Sequence, residues 1–240
     1  MTTEMALSPR ERILRATAGL LAEGGREAVT TRAVSEAAGV QSPTIYRQFG
    51  DMRGLLDEVA SYGFSRYLES KVAREAVDDP VEDLCRAWDL HVEFGLSNPA
   101  LYALMYGDPR PGVESAAASE ARGMLRGLVG RIAEAGRLRV GVEEAAEMIE
   151  AAAVGVVLTL ITAGGGGQGL SLSKATREAV LATVTTSAAP EAETGQAGRG
   201  RVVGRAVALK AVLPEASARF TPAERSLLSE WLDRLADPAL

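Results

Sequence analysis

The sequence predicts an all-α fold, an N-terminal three-helix domain with a helix-turn-helix followed by a larger C-terminal helical bundle. Three observations carry this. Two short segments with one apolar side each, between Thr30 and Phe49, are separated by Gly39-Val40-Gln41. Apolar residues recur at helical spacing along most of the chain, with no strand-then-helix alternation. Finally, Ser8-Pro9-Arg10-Glu11 and Thr221-Pro222-Ala223-Glu224 each join a capping hydroxyl, Pro at the first helical position and Glu three residues on, a reciprocal cap that starts a helix.

Taken in order, the first helix starts at Ser8 and carries Ile13, Leu14, Thr17, Leu20 and Leu21 inward, up to a stop at Gly24-Gly25. Arg10, Arg12 and Arg15 read as solvated. Thr30 caps a second helix whose apolar positions are Ala33, Val34, Ala37 and Ala38, and Gly39 supplies the positive φ that ends it. Ser42-Pro43 restarts a third, with Ser42 as its cap. Asp51 caps a longer connecting helix that reaches about Arg74, where Asp78-Asp79-Pro80 breaks the pattern.

The third helix holds the chemistry. Ile45 and Phe49, four apart, give it an apolar underside, while Ser42, Thr44, Arg47 and Gln48 lie opposite. Arg can grip guanine and Gln adenine through two hydrogen bonds each, and Ser or Thr hydroxyls reach a base edge or phosphate. A short solvated face has the same composition. Two short helices around a glycine turn are nevertheless the arrangement that places a second helix in the major groove.

Thr30-Thr31-Arg32, Ala38-Gly39-Val40, Pro43-Thr44-Ile45-Tyr46 and Phe49, followed by Leu55, resemble the DNA-binding domain of TetR-family one-component repressors over residues 8–71. The resemblance implies that Thr31, Thr44 and Tyr46 contact phosphates and that Arg32, Ser42, Pro43, Arg47 and Gln48 read bases. Two positions depart from the family pattern. Met52 stands where a phosphate-binding lysine is common, which leaves that contact to Arg53, and Gln48 replaces a frequent histidine. The implied organisation is a DNA-binding domain over 1–50, a connecting helix over 51–74, and a ligand-sensing and dimerisation domain over 75–240.

Within that larger region a helix from Val81 to about Ser97 and a short one after Asn98-Pro99 concentrate Trp88, His91, Phe94, Tyr102, Met105 and Tyr106. An aromatic and sulfur stripe fits a packed core, or an apolar cavity with a few polar handles. The Trp, Phe, Pro-x-x-Tyr and Met order resembles one subgroup of TetR-type ligand domains, with Asn98 where that subgroup often has His, and so implies a small-molecule effector site. Residues 107–121 read as a loop or gate, and the helix after it adds Met124 and Leu128 to the candidate ligand contacts.

Residues 142–163 form the most apolar helix. Its uncharged run from Ala151 to Gly167 is short for a membrane span, and its small residues suit close helix contact. A helix from Ser171 to Ser187 follows, with Ala175, Ala179, Val180 and Val184 inward. In the resembled family these two helices build a four-helix dimer interface. Residues 187–200 read as a mobile linker, 201–213 as weakly helical, and the last helix offers Leu227, Leu228, Trp231, Leu232 and Leu235.

Composition limits the alternatives. The chain is 47% hydrophobic over 240 residues, ample for a core. Its net charge of −6 falls outside residues 1–71, which hold nine Lys and Arg and nine Asp and Glu. A neutral reading module needs a second copy to hold DNA firmly. One Cys, one His and no Gly-x-Ser-x-Gly leave little for nucleophilic or metal chemistry. The rival reading is a dinucleotide-binding enzyme using Gly164–Gly169, which matches G-x-G-x-x-G after a β-branched run. The expectation is a non-enzymatic, cytoplasmic regulator without cofactor or metal, a homodimer that binds double-stranded operator DNA and a small apolar or aromatic effector. No membrane association is expected. Cys85, the only cysteine, fits a reducing compartment, and the N-terminus shows no export signal.

Overall fold

The computed structural model describes residues 7–71, 78–107, 115–164, 169–186, 197–214 and 220–236. They form eleven helices: α1 (Pro9–Ala28), α2 (Thr31–Ala38), α3 (Ser42–Phe49), α4 (Met52–Lys71), α5 (Pro80–Ser97), α6 (Pro99–Tyr106), α7 (Ala116–Glu134), α8 (Val142–Thr162), α9 (Gly169–Val184), α10 (Ala197–Val212) and α11 (Pro222–Ala236). Extended pairing among the described residues is limited to one isolated bridge, Leu138 with Thr185. The all-α class is therefore as the periodicity predicts.

The caps show why the helices start where they do. Ser8 Oγ accepts from the Glu11 N–H at 3.2 Å while the Glu11 carboxylate accepts from Ser8 N–H at 2.9 Å, and the Ser8 side chain first, then its backbone N–H, hold the Glu11 carboxyl below its ordinary pKa. Thr221 and Glu224 repeat the arrangement in α11. The helical geometry of α1 breaks at the glycine pair as expected: Gly25 takes φ 66° and ψ −165°, which glycine adopts without strain, and a short turn follows to Ala28.

Contacts divide the chain into two compact units, Met1–Glu75 with Glu93–Ala121, and Ala76–Val92 with Arg122–Leu240. In the first, Ile13, Leu21, Val34, Ala38, Ile45, Phe49, Leu55 and Val59 are buried together, with Ala100, Leu101 and Leu104 of α6 packed against them. Helix α6 approaches α4 so closely that a Cβ on Gly63 would lie 2.6 Å from Leu101 Cδ1. The other part of this unit is aromatic. Phe94 meets Phe64 edge-on at 5.4 Å between centroids, lies 5.0 Å from Tyr67 and 6.3 Å from Tyr102, and Tyr102 lies 4.8 Å from Tyr106.

In the second unit α8 buries Ala145, Ala146, Ile149, Ala153, Val156, Val157 and Leu160. Ion pairs join its helices: Arg122 forks onto Glu150 at 2.7 and 3.2 Å, Arg131 pairs with Asp83, and Arg137 with Asp79 at 2.7 Å. Helix α8 is long and apolar enough to cross a membrane by length and composition only, with mean hydropathy 1.7 over its most apolar 18 residues, a test that core helices also pass. It nevertheless carries Glu143, Glu144, Glu147 and Glu150 and spends its apolar side within the unit, as a core helix does.

Two inward faces differ from expectation. In α9 Ser173, Leu181 and Val184 are buried while Ala175 and Ala179 are exposed, since the protomer covers only one side of that helix. In α11 Leu232 is buried, whereas Leu227, Trp231 and Leu235 are exposed. Its contact with α10 uses a single stripe. Of the loop expected over 107–121, residues 116–121 are helical, started by Ser115 Oγ accepting from Ala118 N–H at 3.1 Å, and 108–114 lie outside the described residues. Of the linker expected over 187–200, residues 197–200 open α10 and 187–196 lie outside the described residues.

Candidate nucleic-acid interface

Helices α2 and α3 are joined by a turn whose geometry depends on one glycine. Thr30 Oγ1 accepts from Ala33 N–H at 3.2 Å, α2 runs for two turns, and Gly39 closes it at φ 61° and ψ 44°. Val40 N–H then returns to the Ser35 carbonyl at 3.0 Å. A side chain at residue 39 would crowd the following carbonyl in this left-handed conformation. The turn therefore fixes the angle at which α3 leaves α2.

Ser42 is not the cap of α3. It lies inside the first turn, the capping position falls to Gln41 without a side-chain cap bond, and Thr44 N–H bonds the Gln41 carbonyl at 2.9 Å. The Ser42 hydroxyl is spent instead on Ser35 Oγ, 3.1 Å away, and Thr31 Oγ1 likewise meets the Tyr46 hydroxyl at 3.1 Å. Two hydroxyl pairs thus tie α2 to α3. Underneath, Ile45 and Phe49 are buried against Val34, Ala38 and Leu55.

The outer side is open. Arg32, Pro43, Tyr46, Arg47, Gln48 and Arg53 are exposed, and Thr31, Ser42 and Thr44 are half-buried. Among the described residues no carboxylate pairs with Arg32, Arg47 or Arg53. The nine residues expected at DNA are therefore all in one unit, on α2, α3 and the first turn of α4. Asp51 Oδ1 caps that turn by accepting from Gly54 N–H at 2.7 Å.

Sequence reasoning missed the residues that brace this surface. Arg10 is not a free surface charge: it pairs with Glu58 of α4 and donates to the Gln48 carbonyl at 3.4 Å. Separations of 48 and 38 residues leave no local signal for either contact. Ser35, seven residues before Ser42, is invisible for the same reason.

The eight candidate ligand contacts are split between the units. Phe94, Tyr102, Met105 and Tyr106 belong to the first, where Phe94, Tyr102 and Met105 are buried. Trp88, His91, Met124 and Leu128 belong to the second. There Trp88 is buried with its indole N–H donating to Ser173 Oγ at 3.0 Å, and Met124 is 48% exposed. Burial pushes His91 down to about 4, against the opposing pull of the Glu150 charge. His91 is thus neutral in the folded chain at pH 7. As pH falls below the ordinary 6.5, the unfolded chain takes up a proton that the folded one refuses, so stability is lost between about pH 6.5 and 4. Thermal unfolding of wild type and His91→Gln at pH 7 and 5 checks this: wild type should lose more on acidification, and equal losses would contradict it.

The glycine run follows a helix rather than a strand, since Val156–Thr162 lies within α8. Gly164 turns the chain at φ 76°, and residues 165–168 lie outside the described residues. A dinucleotide turn needs a parallel strand leading into the loop, and here the β-branched run is wound into a core helix.

Comparison with known proteins agrees with this geometry. The profile described as bacterial regulatory proteins, tetR family, matches residues 13–59. No curated protein matches the chain. Among solved structures, a tetR family transcription regulator from Shewanella sp. PV-4 superposes at a TM-score of 0.58 with 15% identity, over 75% of this chain and 100% of its own. A protein of unknown function from Rhodococcus sp. RHA1 reaches 0.62 with 23% identity, over 78% and 100%. The fatty acid degradation regulator FadR from Bacillus halodurans reaches 0.56 with 18% identity, over 73% and 95%. At these identities the superpositions speak to the fold, and the profile to the helix-turn-helix. Together with the glycine-turned α2–α3 pair, they show a helix-turn-helix over residues 13–59 that matches the tetR family profile, in a chain whose fold is similar to that of solved tetR family regulators.

Proposed function

We propose that the chain is a sequence-specific DNA-binding regulator that acts as a homodimer, a repressor released from its operator by a small apolar or aromatic ligand. The observation that carries this is the two-sidedness of α3, with Ile45 and Phe49 buried and Arg47 and Gln48 exposed. Arg32, Ser42, Pro43, Arg47 and Gln48 read base edges, while Thr31, Thr44, Tyr46 and Arg53 hold phosphates. Thr31 and Tyr46 hydroxyls, bonded to each other in the free chain, are each able to take a phosphate oxygen as partner.

Dimerisation is supported by the exposed small side chains of α8 and α9. Ala151, Gly155 and Thr159 recur four apart on α8, and Ala175 and Ala179 on α9. Small residues at that spacing let helices of two copies approach closely. Two copies then present two α3 helices to half-sites about one helical turn apart.

Release is supported by α6. Its Leu101 and Leu104 pack on the helix-turn-helix core, while its Tyr102, Met105 and Tyr106 belong to the aromatic part of the same unit. A ligand that repacks those rings shifts α6 and, through the tight Gly63–Leu101 seat, α4. Its effect is limited to its differential affinity for the two arrangements.

Selection of bound duplexes from a random library at low salt tests the reading. One enriched palindromic sequence is expected, and a purified dimer that enriches none would overturn it. On that sequence Arg47→Ala should relax discrimination at one base pair by about 1–3 kcal/mol, whereas Thr44→Ala should weaken all duplexes alike.

A further inference from the structure

We propose that Arg10 is the positioning residue of the base-reading helix, holding the end of α3 so that Arg47 and Gln48 project at a fixed angle. This role rests on the DNA-binding reading above. Helix α3 has only eight residues and no side-chain N-cap, too short a segment to persist without tertiary support. Its apolar underside fixes its depth. Its C-terminal end still carries carbonyls that need donors.

Gly50 N–H takes the Tyr46 carbonyl at 2.9 Å, and Arg10 Nη1 donates to that of Gln48 at 3.4 Å. The latter bond is long, but the same guanidinium has two more partners. Its Cζ lies 4.9 Å from the Phe49 ring centroid, and its Nη2 pairs with Glu58 of α4. One planar group from α1 therefore touches the last two residues of α3 while being anchored on α4. A cation there also opposes the negative end of the α3 dipole.

The side chains of Arg10 and Glu58 are 43% and 38% exposed, and ion pairs at that exposure add little to global stability. What the contact supplies is orientation. An ammonium at residue 10 cannot stack on the ring, meet the carbonyl and pair with the carboxylate at once.

The test uses the full-length chain, the selected duplex and a scrambled one, each titrated across salt with wild type, Arg10→Ala, Arg10→Lys and Glu58→Gln. Arg10→Ala should lose roughly ten- to hundredfold in affinity for the selected duplex, with scrambled-duplex affinity and salt slope unchanged. Arg10→Lys should fall between, and Glu58→Gln should shift the same way by less. Amide exchange at residues 48–50 should quicken in Arg10→Ala. An equal loss on both duplexes, with the salt slope reduced by about one, would make Arg10 a phosphate contact and overturn the proposal. Unchanged discrimination would overturn it too. If Arg10→Ala does not fold, the selected-to-scrambled ratio of Glu58→Gln decides. Wild type that selects no sequence overturns the DNA-binding reading and this role with it, whereas variants that match a selective wild type overturn the role of Arg10 alone.

Discussion

Ile45→Ala is expected to cost the helix-turn-helix about 2–5 kcal/mol, the range for truncating a fully buried aliphatic side chain. Ile45 is 0% exposed and shares its core with Val34, Ala38, Phe49 and Leu55. The lost methyl groups leave a void that two eight-residue helices, pinned by the Gly39 turn and the two hydroxyl pairs, can close only in part. Measured against a typical domain stability of about 5–15 kcal/mol, this is a large fraction. Amide exchange across α2 and α3 reads it directly, since neither Trp88 nor Trp231 belongs to this unit. Protection should fall by the corresponding factor while the outer face of α3 keeps its residues. Arg47→Ala should do the reverse, leaving protection within about 0.5 kcal/mol of wild type and altering only what the helix reads. Unaltered protection in Ile45→Ala would mean that α3 is not held by its underside, and the two-sidedness behind the functional reading would lose its physical basis.

The second large effect belongs to Trp88. Trp88→Ala should destabilise the unit formed by Ala76–Val92 and Arg122–Leu240 by about 3–5 kcal/mol. Two contributions act together: the ring is 4% exposed, and its N–H satisfies a buried Ser173 hydroxyl across 85 residues of chain. Trp88→Phe separates them. It keeps much of the apolar bulk and loses the donor, so its cost should approach that of one unmade buried hydrogen bond, about 1–3 kcal/mol. Urea unfolding followed by circular dichroism, with exchange in α5 and α9, ranks the two variants. A Trp88→Ala chain as stable as wild type would show that the ring lines an adaptable site rather than a core, the alternative that an aromatic stripe leaves open.

Much of the geometry of the candidate surface was legible because it is local. The Thr30 cap, the Gly39 turn and the Ile45 and Phe49 underside each depend on residues within about two turns, and local dihedral preference decides them. Ser42 shows where this fails. A serine before a proline reads as a cap by pattern, yet its hydroxyl is taken by Ser35 on the facing helix, and only packing brings the two together. The loop or gate read over 107–121 failed differently over 116–121, since the Ser115 cap and Ala-rich start of α7 offer a helix that small residues and glycines mask in composition. The same ambiguity left Ala175 and Ala179 free to be placed on either side of α9.

By itself the sequence determined that the described residues are helical, that Ser8, Thr30 and Thr221 cap their helices, and which side of α3 faces away from the core, since spacing and backbone preference suffice for all three. Tertiary structure alone decided that Arg10 meets the end of α3 and pairs with Glu58 of α4, that Trp88 is bonded to Ser173, and that α6 packs with the helix-turn-helix rather than apart from it. The reason is that side chains 38 to 85 residues apart meet only after apolar burial has brought their helices together, and no periodicity along the chain encodes which polar groups then come face to face.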